Sequence, residues 1–124
     1  MEKIKILIIE DDDFFRDTVA KRLEQEGFEV FAAGNSKEAL EILETKNPNI
    51  VLLDIILPGM DGFELLSLIK KTESIKNVSV MILSNLSQKQ DIEKALSLGA
   101  KDFIIKISVN LDQIMEKVKN IATS

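Results

Sequence analysis

The chain contains no cysteine and no histidine. The first absence excludes disulfides, thiolate catalysis and Cys-held zinc or iron–sulfur sites; the second excludes imidazole bases, His-ligated metals and Ser-His triads. No apolar run reaches the roughly 18 residues that a membrane-crossing helix needs. The amino-terminal MEKIKILIIE enters a strand-like apolar stretch without the small-residue exit of a cleavable signal. The expectation is a cytoplasmic protein with no membrane partner. Internal repeats, low-complexity segments and linkers are also missing from the sequence.

What is present suits one folded unit. At 124 residues, 45% hydrophobic and 30% charged, the chain can hide roughly two-thirds of its extended surface in a single core. Acids outnumber bases 21 to 16, a net charge of −5, which opposes direct nucleic-acid binding. The excess is local: residues 1–62 carry −7 and residues 63–124 carry +2. Acidic chemistry is therefore concentrated in the first half, where a cation is the natural partner.

Strand-length apolar runs recur at Ile4 to Ile9, Phe28 to Ala33, Ile50 to Leu53, Val78 to Leu83 and Phe103 to Ile105. The first, third and fourth are almost continuously apolar, as in strands covered on both faces, and should be central. Helical spacing fills the intervals, for example at Phe15, Val19 and Leu23 or at Leu111, Ile114, Met115 and Val118. A capping residue precedes Glu or Gln by three positions at Asn35/Glu38, Asp61/Glu64, Ser87/Gln90 and Asn110/Gln113. Gly27, Gly99 and Asn47-Pro48 stand where helices should stop. The order is (βα)5: an α/β, doubly wound parallel sheet whose ligand site lies outside the carboxyl ends of its strands.

Those ends carry Glu10-Asp11-Asp12-Asp13, Asn35-Ser36, Asp54, Ser84-Asn85 and Lys106. Several carboxylates at one edge repel, and a hard divalent cation such as Mg2+ relieves the repulsion through oxygen ligands. A carboxylate beside such an ion can attack phosphorus to give an acyl phosphate. Asp54 ends an otherwise apolar strand and has that position. Ser84 could donate to one phosphoryl oxygen, and Lys106 could pair with another as a point charge. Asp12 and Asp13 read as caps of the first helix.

The strings Ile-Leu-Ile-Ile-Glu10-Asp11-Asp12, Leu-Leu-Asp54-Ile-Ile-Leu-Pro58-Gly59-Met60-Asp61-Gly62, Met-Ile-Leu-Ser84 and Phe103-Ile-Ile-Lys106 resemble the receiver domain of two-component response regulators. The resemblance covers residues 1–124. It implies a flavodoxin-like sheet of order 2-1-3-4-5, with Asp54 as phosphoacceptor. Mg2+, or Mn2+ in its place, would be held by Asp11 and Asp54 directly, by Glu10 mostly through water and by the Ile56 carbonyl. Ser84 and Lys106 would sense the phosphate, and Phe103 would be the switch aromatic. The implied partners are a sensor histidine kinase or histidine phosphotransfer protein and an output protein. The output protein would meet the surface of the fourth helix, fifth strand and fifth helix. Lys89, Lys94, Lys101, Lys117 and Lys119 suggest that this output partner is acidic or amphipathic.

Two departures from the family pattern carry consequences. Ile107 replaces the usual proline after the lysine, and a trans Lys106-Ile107 bond is expected because cis costs about 2.5–4 kcal/mol before a non-proline residue. Ile56 and Leu86 are apolar where relatives carry polar groups that could align a water, so a long-lived phosphoryl group is expected. Two other readings compete. An aspartyl-phosphate hydrolase of the haloacid dehalogenase type would need a second acid where Ile56 stands, and a degenerate receiver would dock without phosphate. The chain reads either as a stand-alone regulator or as a piece of a longer one.

Overall fold

The apolar runs become strands of one sheet, and the three central ones are buried because both of their faces meet a helix layer. In the computed structural model, which describes residues 3–123, the strands are β1 (Lys5–Ile9), β2 (Glu29–Ala33), β3 (Ile50–Leu53), β4 (Ser79–Ser84) and β5 (Asp102–Ile105). They alternate with α1 (Asp13–Gln25), α2 (Ser36–Lys46), α3 (Gly62–Lys71), α4 (Lys89–Ser97) and α5 (Leu111–Ala122), and a 3-10 turn, Lys106–Ser108, precedes α5. The order β2-β1-β3-β4-β5, parallel throughout, is the flavodoxin-like order expected.

The period of two along a strand divides the core into two layers. Leu7, Ile9, Val51, Leu53, Val80 and Ile82 join Ala39, Leu43, Leu65, Leu66, Ile69 and Ala95 on the side of α2, α3 and α4. Ile6, Ile8, Ile50, Leu52, Met81 and Leu83 join Val19, Leu23, Ile114, Met115 and Val118 on the side of α1 and α5. Burial on both faces explains why β1, β3 and β4 read as continuous apolar runs.

Helix boundaries follow local chemistry. The side chains of Asp12, Asn35 and Asp61 accept from the amides of Phe15, Glu38 and Glu64 at 3.0, 2.9 and 2.9 Å. Asn110 and Gln113 form a reciprocal capping box. Gly27, Gly99 and Asn47 stand at the helix ends with φ of 100°, 109° and 49°. Ser87 is a correction. The residue capping α4 is Gln88, which makes no side-chain cap bond, so Ser87 lies outside the helix. Its exposed first turn can leave amides to water, and nothing there compels a side-chain acceptor.

Candidate functional site

Two backbone bonds align the strand ends: Asp54 N–H donates to the Ile9 carbonyl at 3.0 Å, and Glu10 N–H to the Ala33 carbonyl at 2.9 Å. Glu10 and Asp54 are thereby carried side by side past the last residues of β1 and β3. Both are buried, at 2% and 5% exposure, while Asp11 is exposed. Carboxylate oxygens of Glu10, Asp11 and Asp54 all lie within 4.8 Å of one another. An all-oxygen set of three acids suits a hard divalent cation, and the arrangement fits a metal site.

Lys106 compensates this charge. Its ammonium donates to Asp54 Oδ2 at 2.8 Å, pairs closely with Glu10 Oε1 and lies over the Phe15 ring, 4.7 Å from its centroid. The remaining oxygens are engaged by backbone: Asp54 Oδ1 accepts from Ile56 N–H and Glu10 Oε2 from Asp12 N–H, each at 3.1 Å. Burial pushes the Glu10 carboxyl above its ordinary value, with the Asp54 charge adding to the rise and the Lys106 and Asp12 hydrogen bonds opposing it. Burial acts to lower Lys106, but its hydrogen bonds and charge pairing with Asp54 and Glu10 outweigh that and raise it.

Ser84 closes β4 with its side chain fully buried, and its hydroxyl accepts a long 3.5 Å bond from Leu86 N–H. Ile56 is 57% exposed at the mouth of the site. Phe103 is half-buried on β5 and packs against the layer of α2, α3 and α4. The Lys106-Ile107 bond is trans, as expected.

The lysines expected to mark an output surface are mostly engaged. Lys117 pairs with Asp102 at 3.2 Å, Lys119 with Glu26 and Lys89 with Glu93 at 3.8 Å; Lys94 lies 4.4 Å from the Phe63 centroid. Four of the five lysines thus have a local partner, although the net charge of the second half, which already counts Glu93 and Asp102, is unchanged by it.

Sequence reasoning missed several supports. Phe15 reads only as part of a helical stripe, yet it faces the Lys106 ammonium. Arg16 donates to the Glu10 carbonyl at 3.0 Å and to Asp13 at 2.7 Å, fixing the acidic turn; the Asp13/Arg16 spacing was its available signal. Gly62 reads as part of a turn, but an added Cβ there would stand 2.4 Å from Ile55 Cα and 2.7 Å from the Asp54 carbonyl oxygen.

The fold and these residues define a doubly wound α/β module with an anionic site at the carboxyl edge of its sheet, where such folds take their ligands. Residues 6–119 match the family model of the response regulator receiver domain, and the chain belongs to that family, the receivers of two-component systems. It is 34% identical over 115 residues to sporulation initiation phosphotransferase F of Bacillus subtilis (strain 168), covering 93% of this chain and 90% of that one. It is 36% identical over 106 residues to the probable transcriptional regulator ycf27 of Porphyridium aerugineum, covering 86% of this chain and 43% of that one. The crystal structure of a response regulator receiver domain protein (CheY-like) from Methanospirillum hungatei JF-1 superposes with a TM-score of 0.88 at 32% identity, covering 96% of this chain and 93% of the other. The chain spans roughly half the length of several transcriptional regulators it matches. No helix among the described residues is long and apolar enough to cross a membrane.

Proposed function

We propose that residues 1–124 form a phosphorylation-controlled switch that accepts a phosphoryl group on Asp54 from a phosphohistidine of a partner kinase or phosphotransfer protein. The observation that carries this reading is the pairing of buried Asp54 with Lys106 at 2.8 Å beside Glu10 and Asp11. Asp11 and Asp54 would hold Mg2+ directly, Glu10 through water, with the Ile56 carbonyl as a further ligand; Mn2+ has a similar preference for oxygen. The ion would screen the approaching anion and neutralise charge on the transferring oxygens.

The chain's own residues do the rest. A carboxylate oxygen of Asp54 forms a bond to phosphorus as the phosphorus–nitrogen bond breaks, and the imidazole leaves with that electron pair and takes a proton from solvent. The histidine is the partner's, because this chain has none. Lys106 pairs with phosphoryl oxygen in place of a carboxylate, and Ser84 donates its hydroxyl to another oxygen. Movement of the Ser84 loop then makes room for the Phe103 ring, altering the α4, β5 and α5 face for an output protein. Exposed Leu96 on α4, together with locally paired lysines, favours an amphipathic partner over DNA. The same reading places the protein in the cytoplasm, where such kinases present phosphohistidine.

Incubation with acetyl phosphate and Mg2+ tests the proposal by intact mass. One phosphoryl increment is expected in the wild type and none in Asp54→Asn; full labelling of the variant would move the acceptor elsewhere.

A further inference from the structure

The Ile107 side chain is 83% exposed, yet its backbone N–H donates to Asn85 Oδ1 at 3.2 Å. Asn85 directly follows Ser84, and Ile107 directly follows Lys106. In the sheet, Ser84 is already the register partner of Ile105. Lys106 is therefore flanked on both sides by residues tied to the end of β4: Ile105 through the ladder, Ile107 through the Asn85 side chain. What position 107 contributes here is an amide hydrogen, and a proline there could not supply it.

We propose that Asn85 is a positioning residue for Lys106, extending the β4–β5 connection by one side-chain bond so that the segments carrying the Ser84 hydroxyl and the Lys106 ammonium move as one body. The inference rests on the functional reading above for its kinetic consequence, but not for its structural one. Among the described residues no hydrogen bond joins Asn85 to Asp54, Glu10 or Asp11; it acts by holding the backbone from which Lys106 projects. Released from it, the Ile107 amide has no other hydrogen-bond acceptor among the described residues, and the turn from Lys106 is held by the long 3.4 Å bond from Val109 N–H to the Lys106 carbonyl and by the packing of Val109. The lysine would then spend less time in the geometry that phosphoryl transfer requires.

The test uses the full chain and four variants: Asn85→Leu, Ile107→Pro, Ile107→Ala and the combination of the first two. Amide exchange of Ile107 and the Lys106 ammonium resonance are followed by NMR in the unphosphorylated protein. Mg2+ affinity is measured by calorimetry, and the rate of Asp54 labelling by acetyl phosphate. In Asn85→Leu the Ile107 amide should lose protection, the Lys106 resonance should move, and labelling should slow about fivefold, the factor carried by one hydrogen bond of ordinary net strength. Mg2+ affinity should hold, since the acids are untouched. Combining Asn85→Leu with Ile107→Pro should slow labelling no further than Ile107→Pro alone. Ile107→Ala, which keeps the N–H, should retain the wild-type Lys106 resonance. If the wild type is not labelled at all, the functional reading fails while the NMR measurements still decide the positioning role. Unchanged Ile107 protection and an unchanged Lys106 resonance in Asn85→Leu would overturn the proposal, as would an Ile107→Ala variant that shifts the lysine as far as Asn85→Leu does.

Discussion

The Lys106 ammonium lies 4.7 Å from the centroid of the Phe15 ring, so one cation is held by two buried carboxylates and an aromatic face. Replacing Phe15 by leucine keeps an apolar side chain on α1 and removes the quadrupole. Urea unfolding should show a loss of about 1 kcal/mol, the scale of a partly desolvated cation–π contact. In a Lys106→Met background the same substitution should cost less. Equal losses in the two backgrounds would mean that the ring acts by packing alone.

Lys106→Met leaves Glu10 and Asp54 buried without their counter-ion. Metal-free stability should fall by about 3 kcal/mol. Mg2+ should bind more tightly, by about tenfold if the removed repulsion is near 1.4 kcal/mol. Calorimetry on the variant would decide: weaker Mg2+ binding would show that Lys106 organises the acids more than it competes with a cation for them.

Glu10 and Glu26 should respond to pH in opposite senses. Burial raises Glu10, so its folded form binds the proton more tightly than the unfolded chain, and its contribution to stability fades as pH climbs through the ordinary carboxylate range to the raised value. The hydrogen bond from Lys119 lowers Glu26, with further help from Arg22. Its contribution is therefore present above the ordinary value and is lost as pH falls through the lowered one. Carboxyl-carbon NMR titration should place Glu10 above and Glu26 below ordinary glutamates, and Lys119→Met should move Glu26 back without touching Glu10. The reverse order would refute the assignment.

Ile56 stands exposed at the mouth of the site, whereas Leu86 is half-buried and its amide is bonded to Ser84. Of the two apolar positions, Ile56 is thus the one beside open solvent. An amide there can orient a water toward the phosphorus without taking its proton, so Ile56→Asn should lose its phosphoryl group several-fold faster, well short of the roughly 100-fold at which a true general base begins. Loss at the wild-type rate, or slower, would remove Ile56 from any account of phosphoryl lifetime.

Features that repeat along the chain were legible in the sequence. Continuous apolar runs marked β1, β3 and β4, and Asn35, Asp61 and Asn110 marked their helices because a cap acts three residues away. Glu10, Asp11, Asp54 and Lys106 were legible as strand ends that meet once the strand order is known. Contacts between distant segments without a repeating pattern were not: the Phe15 ring under Lys106, the Asn85 bond to Ile107 and the pairing of Lys119 with Glu26 all depend on side-chain directions that spacing leaves open. Ser87 shows the opposite failure, a correct local pattern at a helix start that did not use it. The lysines of the second half were counted correctly as charge, but counting could not reveal how many of them already had partners.

Gly62 sets a different kind of limit. Its N–H donates to the Ile55 carbonyl at 2.7 Å, and the start of α3 presses so closely on the strand end that a methyl group has nowhere to go. In a library of all single substitutions, position 62 should be emptied of every replacement in a screen for folded protein, starting with alanine, because relief requires moving backbone and not a flexible side chain. Position 54, itself buried, should keep a near-isosteric polar replacement such as asparagine in that screen and lose it only when cells must respond to a signal. Comparing the two screens would separate residues the chain needs in order to exist from those it needs in order to be heard.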